Sequence, residues 1–350
     1  MKRAGQLALI TDWQRAGIID DSTAQTLQDK DPGRWWLNLL MGFAAWFAAV
    51  LIISATMGPW VLLVDNALGR SLYALILLSV AWQLLRNQGL FVEQLALALS
   101  LSGQGVLIFV WSSELPSVLD WSQSITAVGL PLALALFWLP GSYRHRQLCG
   151  LFALLYISML LEAGPLLLLY AGLLAVLAVV GWSTRQQWAR HTAACYLRPA
   201  LDGVTLFAMA LAVFAQQGVW YDLPQHAADV LWVQGYRLNI ALLTVCVVVW
   251  IFRVDLGHWR WAAPMTVLVV VVLLFQAPGM LLASTLGLLA FHARSWLWSL
   301  LSPLIALVAL AEWYYNLQLS LLHKSWLLML AGIVLLACYW LWQHRGRAAQ

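Results

Sequence analysis

Beyond residue 34 the chain is a succession of apolar blocks separated by short polar breaks. The blocks fall at 35–57, 71–85, 90–111, 122–139, 148–161, 164–182, 199–216, 238–252, 261–275, 279–291, 296–315 and 325–342. Each is read as a membrane-spanning helix, although several are shorter than the roughly 20 residues that cross about 30 Å of hydrocarbon. Two longer stretches, 148–182 and 261–291, break at Glu162-Ala163-Gly164-Pro165 and at Gln276-Ala277-Pro278-Gly279. Both are too long for one tilted helix, and proline beside glycine is turn chemistry, so each is expected to form two helices. Before residue 34 the pattern differs. Leu7, Leu9, Ile10 and Trp13 recur at helical spacing until Gly17, and Asp21 or Ser22 then caps a second short helix that runs to Gln28. The expected fold is all-α, a polytopic transmembrane helical bundle of about twelve spans behind a short N-terminal helix pair. The expected divisions are the soluble pair at 1–33, the transmembrane domain at 34–343 and a short basic tail at 344–350.

Composition supports the membrane reading. Of 350 residues, 63% are hydrophobic and 10% charged, against about 45–50% and about 25% in an ordinary soluble domain. With 19 basic and 15 acidic side chains, a chain this long does not cover a water-facing surface unless most of that surface meets lipid. The placement of charge adds a direction. With twelve spans, 16 of the 19 Lys and Arg residues fall on one side and only Arg70, Arg237 and Lys324 on the other. The loops of that other side carry Asp65, Glu114, Asp120, Glu162, Asp222 and Asp229. One span more or fewer would invert every later loop and scramble the segregation. The positive side therefore assigns both termini to the cytoplasm of a bacterial inner membrane. Of the 22 tryptophans, many lie near span ends, Trp121, Trp182 and Trp296 among them, as interfacial anchors do.

The net charge of +4 forms no dense basic patch, which argues against a nucleic-acid partner. The N-terminal pair has five acids to four bases and lacks the basic face of a DNA reader. It reads as a cytoplasmic lid, or as an element that docks another membrane protein. Met1-Lys2-Arg3 leads into no continuous apolar stretch and no cleavage site, so the start does not read as a signal peptide. Cys149, Cys195, Cys246 and Cys338 show no CxxC spacing and no histidine at ligand spacing, and are expected to be buried free thiols.

Ionisable groups at membrane depth are costly, so each is a functional candidate. Glu93 opens the third span, and Ser100 and Gln104 follow at i+7 and i+11 on the same helical face. One reading is a polar stripe that faces a cavity and carries a proton, ion or solute. The other places Glu93 at the rim near Arg86, with Ser100 and Gln104 bonded to a neighbouring helix. Asp202 follows Arg198 by four residues, an ion-pair spacing. Glu312 and Lys324 flank the turn between the last two spans and are candidates for a half-buried pair. In the longest outer loop Asp222, His226 and Asp229 have loose metal-ligand spacing, which an interfacial amphipathic helix explains better. His145, His191 and His258 stand beside arginines and carry little meaning singly. No phosphate-binding loop, dinucleotide fingerprint, HExxH or GxSxG occurs, so neither cofactor nor catalytic residue is expected.

Two stretches carry a resemblance. They are Arg34-Trp35-Trp36-Leu37-Asn38-Leu39-Leu40-Met41-Gly42-Phe43 and Trp313-Tyr314-Tyr315-Asn316-Leu317 continued by Leu321-Leu322-His323-Lys324-Ser325. Both resemble a bacterial family of multi-pass membrane proteins, the domain of unknown function numbered four-four-zero-one, over residues 34–342. The segment Trp13-Gln14-Arg15-Ala16-Gly17-Ile18-Ile19 resembles the cytoplasmic preamble of a sister family. The resemblance implies an inner-membrane protein and carries over no site residues. Transport of a small solute or ion is the favoured activity. A non-enzymatic scaffold or sensor comes second, and an intramembrane enzyme acting on lipid-linked substrates third.

Overall fold

The computed structural model describes residues 35–64, 66–86, 89–115, 120–139, 141–161, 164–214, 227–255 and 274–316, with scattered positions in 10–25, 268–272 and 322–336. Every regular element among the described residues is α-helical. Ten helices are used below: α1 Trp35–Leu63, α2 Ala67–Leu85, α3 Leu90–Glu114, α4 Trp121–Trp138, α5 Tyr143–Leu160, α6 Pro165–Ser183, α7 Ala194–Phe214, α8 Ala227–Asp255, α9 Pro278–His292 and α10 Trp296–Asn316. A single turn, Arg185–Trp188, lies between α6 and α7. Eight of the ten are long and apolar enough to cross a membrane; α5 and α9 are not among those eight. The expected spans at 261–275 and 325–342 lie largely outside the described residues. Both expected breaks are present. Pro165 and Pro278 each stand at the start of a new helix, where the missing proline N–H has no helical acceptor to lose.

Several helices outrun the apolar blocks that announce them. The block expected from residue 71 begins at Ala67, where the Asn66 side chain accepts from the Gly69 amide at 2.6 Å. The block expected from residue 238 belongs to a helix that starts at Ala227. In both cases the hydrogen-bonded backbone continues through polar residues, among them Arg70 and Arg237, that end a hydropathy run but not a helix. Within the expected N-terminal pair, the described positions Ile10, Thr11, Asp12, Gln14, Arg15, Asp21, Ala24 and Gln25 are helical. The Ala24 amide donates to the Asp20 carbonyl at 2.9 Å.

The chain divides into two units, Met1–Leu107 and Ile108–Gln350. In the first, Tyr73, Leu77 and Ala81 of α2 form a small core with Leu99 of α3. Polar contacts tie α1 to its neighbours. Thr56 and Tyr73 share a hydrogen bond of 2.7 Å, Trp60 Nε1 donates to the Gly69 carbonyl at 3.0 Å, and Trp46 Nε1 donates to Gln94 Oε1 at 3.2 Å. Phe43 and Phe47 of α1 are 70% and 59% exposed, which is the arrangement of a helix wetted by lipid.

In the second unit α6, α7 and α9 hold the main core, with α8 packed on α6 and α9. Helices α4 and α5 pack closely on each other, as do α9 and α10, and α7 packs on both α5 and α6. The contact surfaces are built from small residues: Ala171, Ala175 and Ala178 of α6, Ala208 and Ala212 of α7, and Ala283 and Ala290 of α9 are all buried. Lipid tails are as apolar as leucine, so helix association relies on such close backbone approach and on interhelical hydrogen bonds. One of these bonds joins Thr244 of α8 to Thr285 of α9 at 2.8 Å. At the α4–α5 crossing the Tyr156 ring lies on Gly129, where a β-carbon would come within 2.6 Å of it. The end of α9 is closed by the Ser295 amide donating to the Ala290 carbonyl at 2.9 Å, and Arg294 takes φ 54°. That is the left-handed position where helix ends favour glycine.

Two expectations from sequence are corrected. Trp182 is 4% exposed, with its indole N–H donating to Thr205 Oγ1 at 2.9 Å, so it is core and not an interfacial anchor. Of the cysteines, Cys149 is buried, but Cys195 and Cys246 are exposed; all three are free thiols. A thiol on a lipid-facing or helix-end surface reads the same in sequence as one inside a core.

Gly129→Ala should lower stability by about 1–3 kcal/mol through overpacking against Tyr156. Gly105→Ala meets no atom within 4 Å and should carry no such penalty. Arg294→Gly should raise stability by roughly 1 kcal/mol by removing the left-handed strain of a β-carbon. Thermal denaturation in detergent micelles, followed by tryptophan fluorescence, checks all three.

Candidate functional site

A polar node joins the starts of α5 and α10 to α7, near the end of α6. Asp202 is at its centre. Sequence spacing pairs it with Arg198, but its two oxygens are engaged by other helices. Trp298 Nε1 of α10 donates to Oδ1 at 2.9 Å, and the Tyr143 hydroxyl of α5 donates to Oδ2. One carboxylate thereby joins three helices. Burial raises the Tyr143 pKa, and the hydrogen bond to Asp202 and its negative charge push the same way, while Arg198 and Arg185 pull weakly against them. The phenol therefore remains a donor. Trp298 meets Trp182 edge-to-face at 6.3 Å, and Trp182 reaches Thr205 one turn along α7 from Leu201, so the node continues into the core.

Three arginines lay their guanidinium groups against aromatic rings at this end of the bundle. The Arg198 guanidinium lies 5.9 Å from the Tyr143 ring centroid, Arg185 lies 5.0 Å over Trp182, and Arg146 lies 4.3 Å over Tyr196. The backbone explains part of this placement. Pro199 lies inside α7 and has no N–H, so the Cys195 carbonyl loses its helical donor. Arg146 Nη1 donates to that carbonyl at 3.4 Å. Beside Arg146, His145 is 5% exposed, and its pKa is pushed down to about 4 by burial and then by the Arg146 charge. Its Nε2 lies 3.8 Å from Cys149 Sγ, one turn on, so a histidine does stand at helical spacing from a cysteine, contrary to expectation. Among the described residues no group of three or more potential metal ligands forms.

Glu93 is the fourth residue of α3, half-buried in the first helical turn, where the helix dipole favours an acid. Ser100 and Gln104 are buried, and Gln104 Nε2 donates to Ser100 Oγ at 3.3 Å within the same helix. Arg86, expected near Glu93, has its guanidinium 4.0 Å over the Trp82 ring. Glu312 is half-buried and accepts from Asn316 Nδ2 at 3.5 Å; Lys324 lies outside the described residues, as do Asp222, His226 and the side chain of Asp229. The Tyr143–Asp202–Trp298 node was not anticipated. Its members are separated by 59 and 96 positions, and no spacing rule connects residues so far apart.

A set of long apolar helices with polar groups bonded across helix contacts defines the class, a helical integral membrane protein. The family described as Domain of unknown function (DUF4401) matches residues 34–345, and the chain belongs to it, as the resemblance at both ends of the apolar region implied. Nothing among curated proteins matches, and nothing among solved structures does.

Asp202→Asn presents an amide N–H₂ to one of two donors and should destabilise by about 1–3 kcal/mol, with a smaller loss for Tyr143→Phe. Equilibrium unfolding of the two variants and their double mutant gives the coupling. His145 supplies a pH dependence. Its folded pKa of about 4 lies below the ordinary 6.5, so the unfolded chain binds more protons between those values. Stability should fall as pH drops from about 6.5 to about 4 and level off below that. His145→Gln should flatten that segment of the profile.

Proposed function

We propose that the protein is a twelve-span inner-membrane protein with both termini in the cytoplasm, and that it moves a small solute or ion. The orientation rests on the segregation of Lys and Arg along the chain. The observation that carries the transport reading is a buried polar group beside a proline inside a helix. Pro303 lies inside α10 and withholds a donor from the Ser299 carbonyl. Next to it the Ser302 hydroxyl is 1% exposed and has no hydrogen-bond partner. Transporters build substrate sites from such freed backbone and side-chain oxygens on broken helices. The Glu93, Ser100 and Gln104 face of α3 is the second candidate lining.

A scaffold or sensor role, with residues 1–33 docking a membrane partner, is the alternative. The half-buried first-turn position of Glu93 favours it, because that position accounts for the acid without a coupling role. An enzyme on lipid-linked substrates ranks third.

Proteoliposomes loaded with a pH-sensitive dye and assayed against a panel of small ions and solutes test the proposal. Wild type should exceed empty liposomes, with Ser302→Ala reducing flux several-fold and Glu93→Gln reporting proton coupling. Should Ser302 serve packing alone, Ser302→Ala would leave flux unchanged and raise stability by relieving an unsatisfied hydroxyl. Absence of flux across the panel would favour the scaffold, to be pursued by crosslinking through residues 1–33.

A further inference from the structure

The arginines around the Asp202 node have charge to spare. The carboxylate is engaged by two neutral donors, Tyr143 and Trp298, and not by a guanidinium. Arg185 and Arg198 act electrostatically on Tyr143, and Arg146 follows Tyr143 by one turn of α5; two of their donors, Arg146 Nε and Arg185 Nη1, are buried without a hydrogen-bond partner. Buried guanidinium N–H groups without an acceptor are costly, and the acceptor that matches a planar fork of donors is a phosphate or carboxylate oxygen. The Arg146 guanidinium is already fixed in orientation by stacking on Tyr196 and by its bond to the Cys195 carbonyl. The first turns of α5 and α10 lie at this end, through Tyr143 and Trp298, and add positive potential.

We propose that Arg146, Arg185 and Arg198 form a binding site for the phosphate of an anionic lipid headgroup. A lipid is favoured over free phosphate by the surroundings. The site lies where apolar helices end, which is headgroup depth. Leu197, Trp296 and Leu297 beside it are 43%, 76% and 53% exposed, a surface suited to the first methylenes of acyl chains. Basic pockets between helices at this depth recognise anionic headgroups. The single Asp202 carboxylate is outnumbered by the Arg146, Arg185 and Arg198 guanidinium groups, so the local balance of charge still favours an anion. The inference is independent of whether the protein moves a solute.

The test uses the full chain, delipidated in neutral detergent, with binding of short-chain phosphatidylglycerol, phosphatidylcholine and inorganic phosphate read by native mass spectrometry and thermal shift. Phosphatidylglycerol should bind at least about tenfold more tightly than phosphatidylcholine, and the preference should weaken with ionic strength. Arg146→Gln with Arg185→Gln should abolish it. The doubly Lys-substituted chain, which keeps the charge and loses the fork, should retain part of it and guards against a folding defect in the Gln variant. A preference that survives both double substitutions overturns the proposal. So does equal binding of the two lipids, and inorganic phosphate binding in that case assigns the arginines to a soluble anion instead.

Discussion

Hydrocarbon offers no partner to a backbone amide or carbonyl, so every peptide group at membrane depth must find one within the protein. That requirement makes each described element a helix and explains why helices continue through Arg70 and Arg237, beyond the apolar residues that announce them. It also explains the use made of the exceptions. Where Pro199 withholds a donor inside α7, the freed Cys195 carbonyl is taken up by the Arg146 guanidinium. Where the chain must stop being helical, Pro165 and Pro278 start the next helix at the position that loses no bond.

Once helices are obligatory, their association has little hydrophobic drive, and the second unit solves this in two ways. Small residues on α6, α7 and α9 let backbones approach, and a few side-chain bonds between helices fix the pairing. Asp202 is the most connected of these, since a single carboxylate receives donors from two other helices. Its partners are a phenol and an indole, and one carboxylate is outnumbered by the arginines at this end of the bundle. Structure and recognition thus meet at one end of the bundle.

Much of the architecture is legible in the chain. The apolar blocks, the breaks at 162–165 and 276–279, and the family resemblance at Arg34–Phe43 and Trp313–Ser325 all come from local pattern, which depends only on residues near one another. The Glu93–Ser100–Gln104 face is legible for the same reason, being one helix face, and the structure places Ser100 and Gln104 in contact. Trp182 shows the limit. A tryptophan at a span end reads as an anchor, and only the neighbouring Thr205 and Trp298 make it core.

Sequence by itself determined the class: hydropathy and scarcity of charge select helices in lipid, and proline with glycine marks where they end. Tertiary structure alone decided which polar groups matter. Tyr143, Asp202 and Trp298 belong to different helices, and each looks ordinary within its own. Their significance arises from helix packing, which depends on side-chain shape across contacts that no local periodicity encodes.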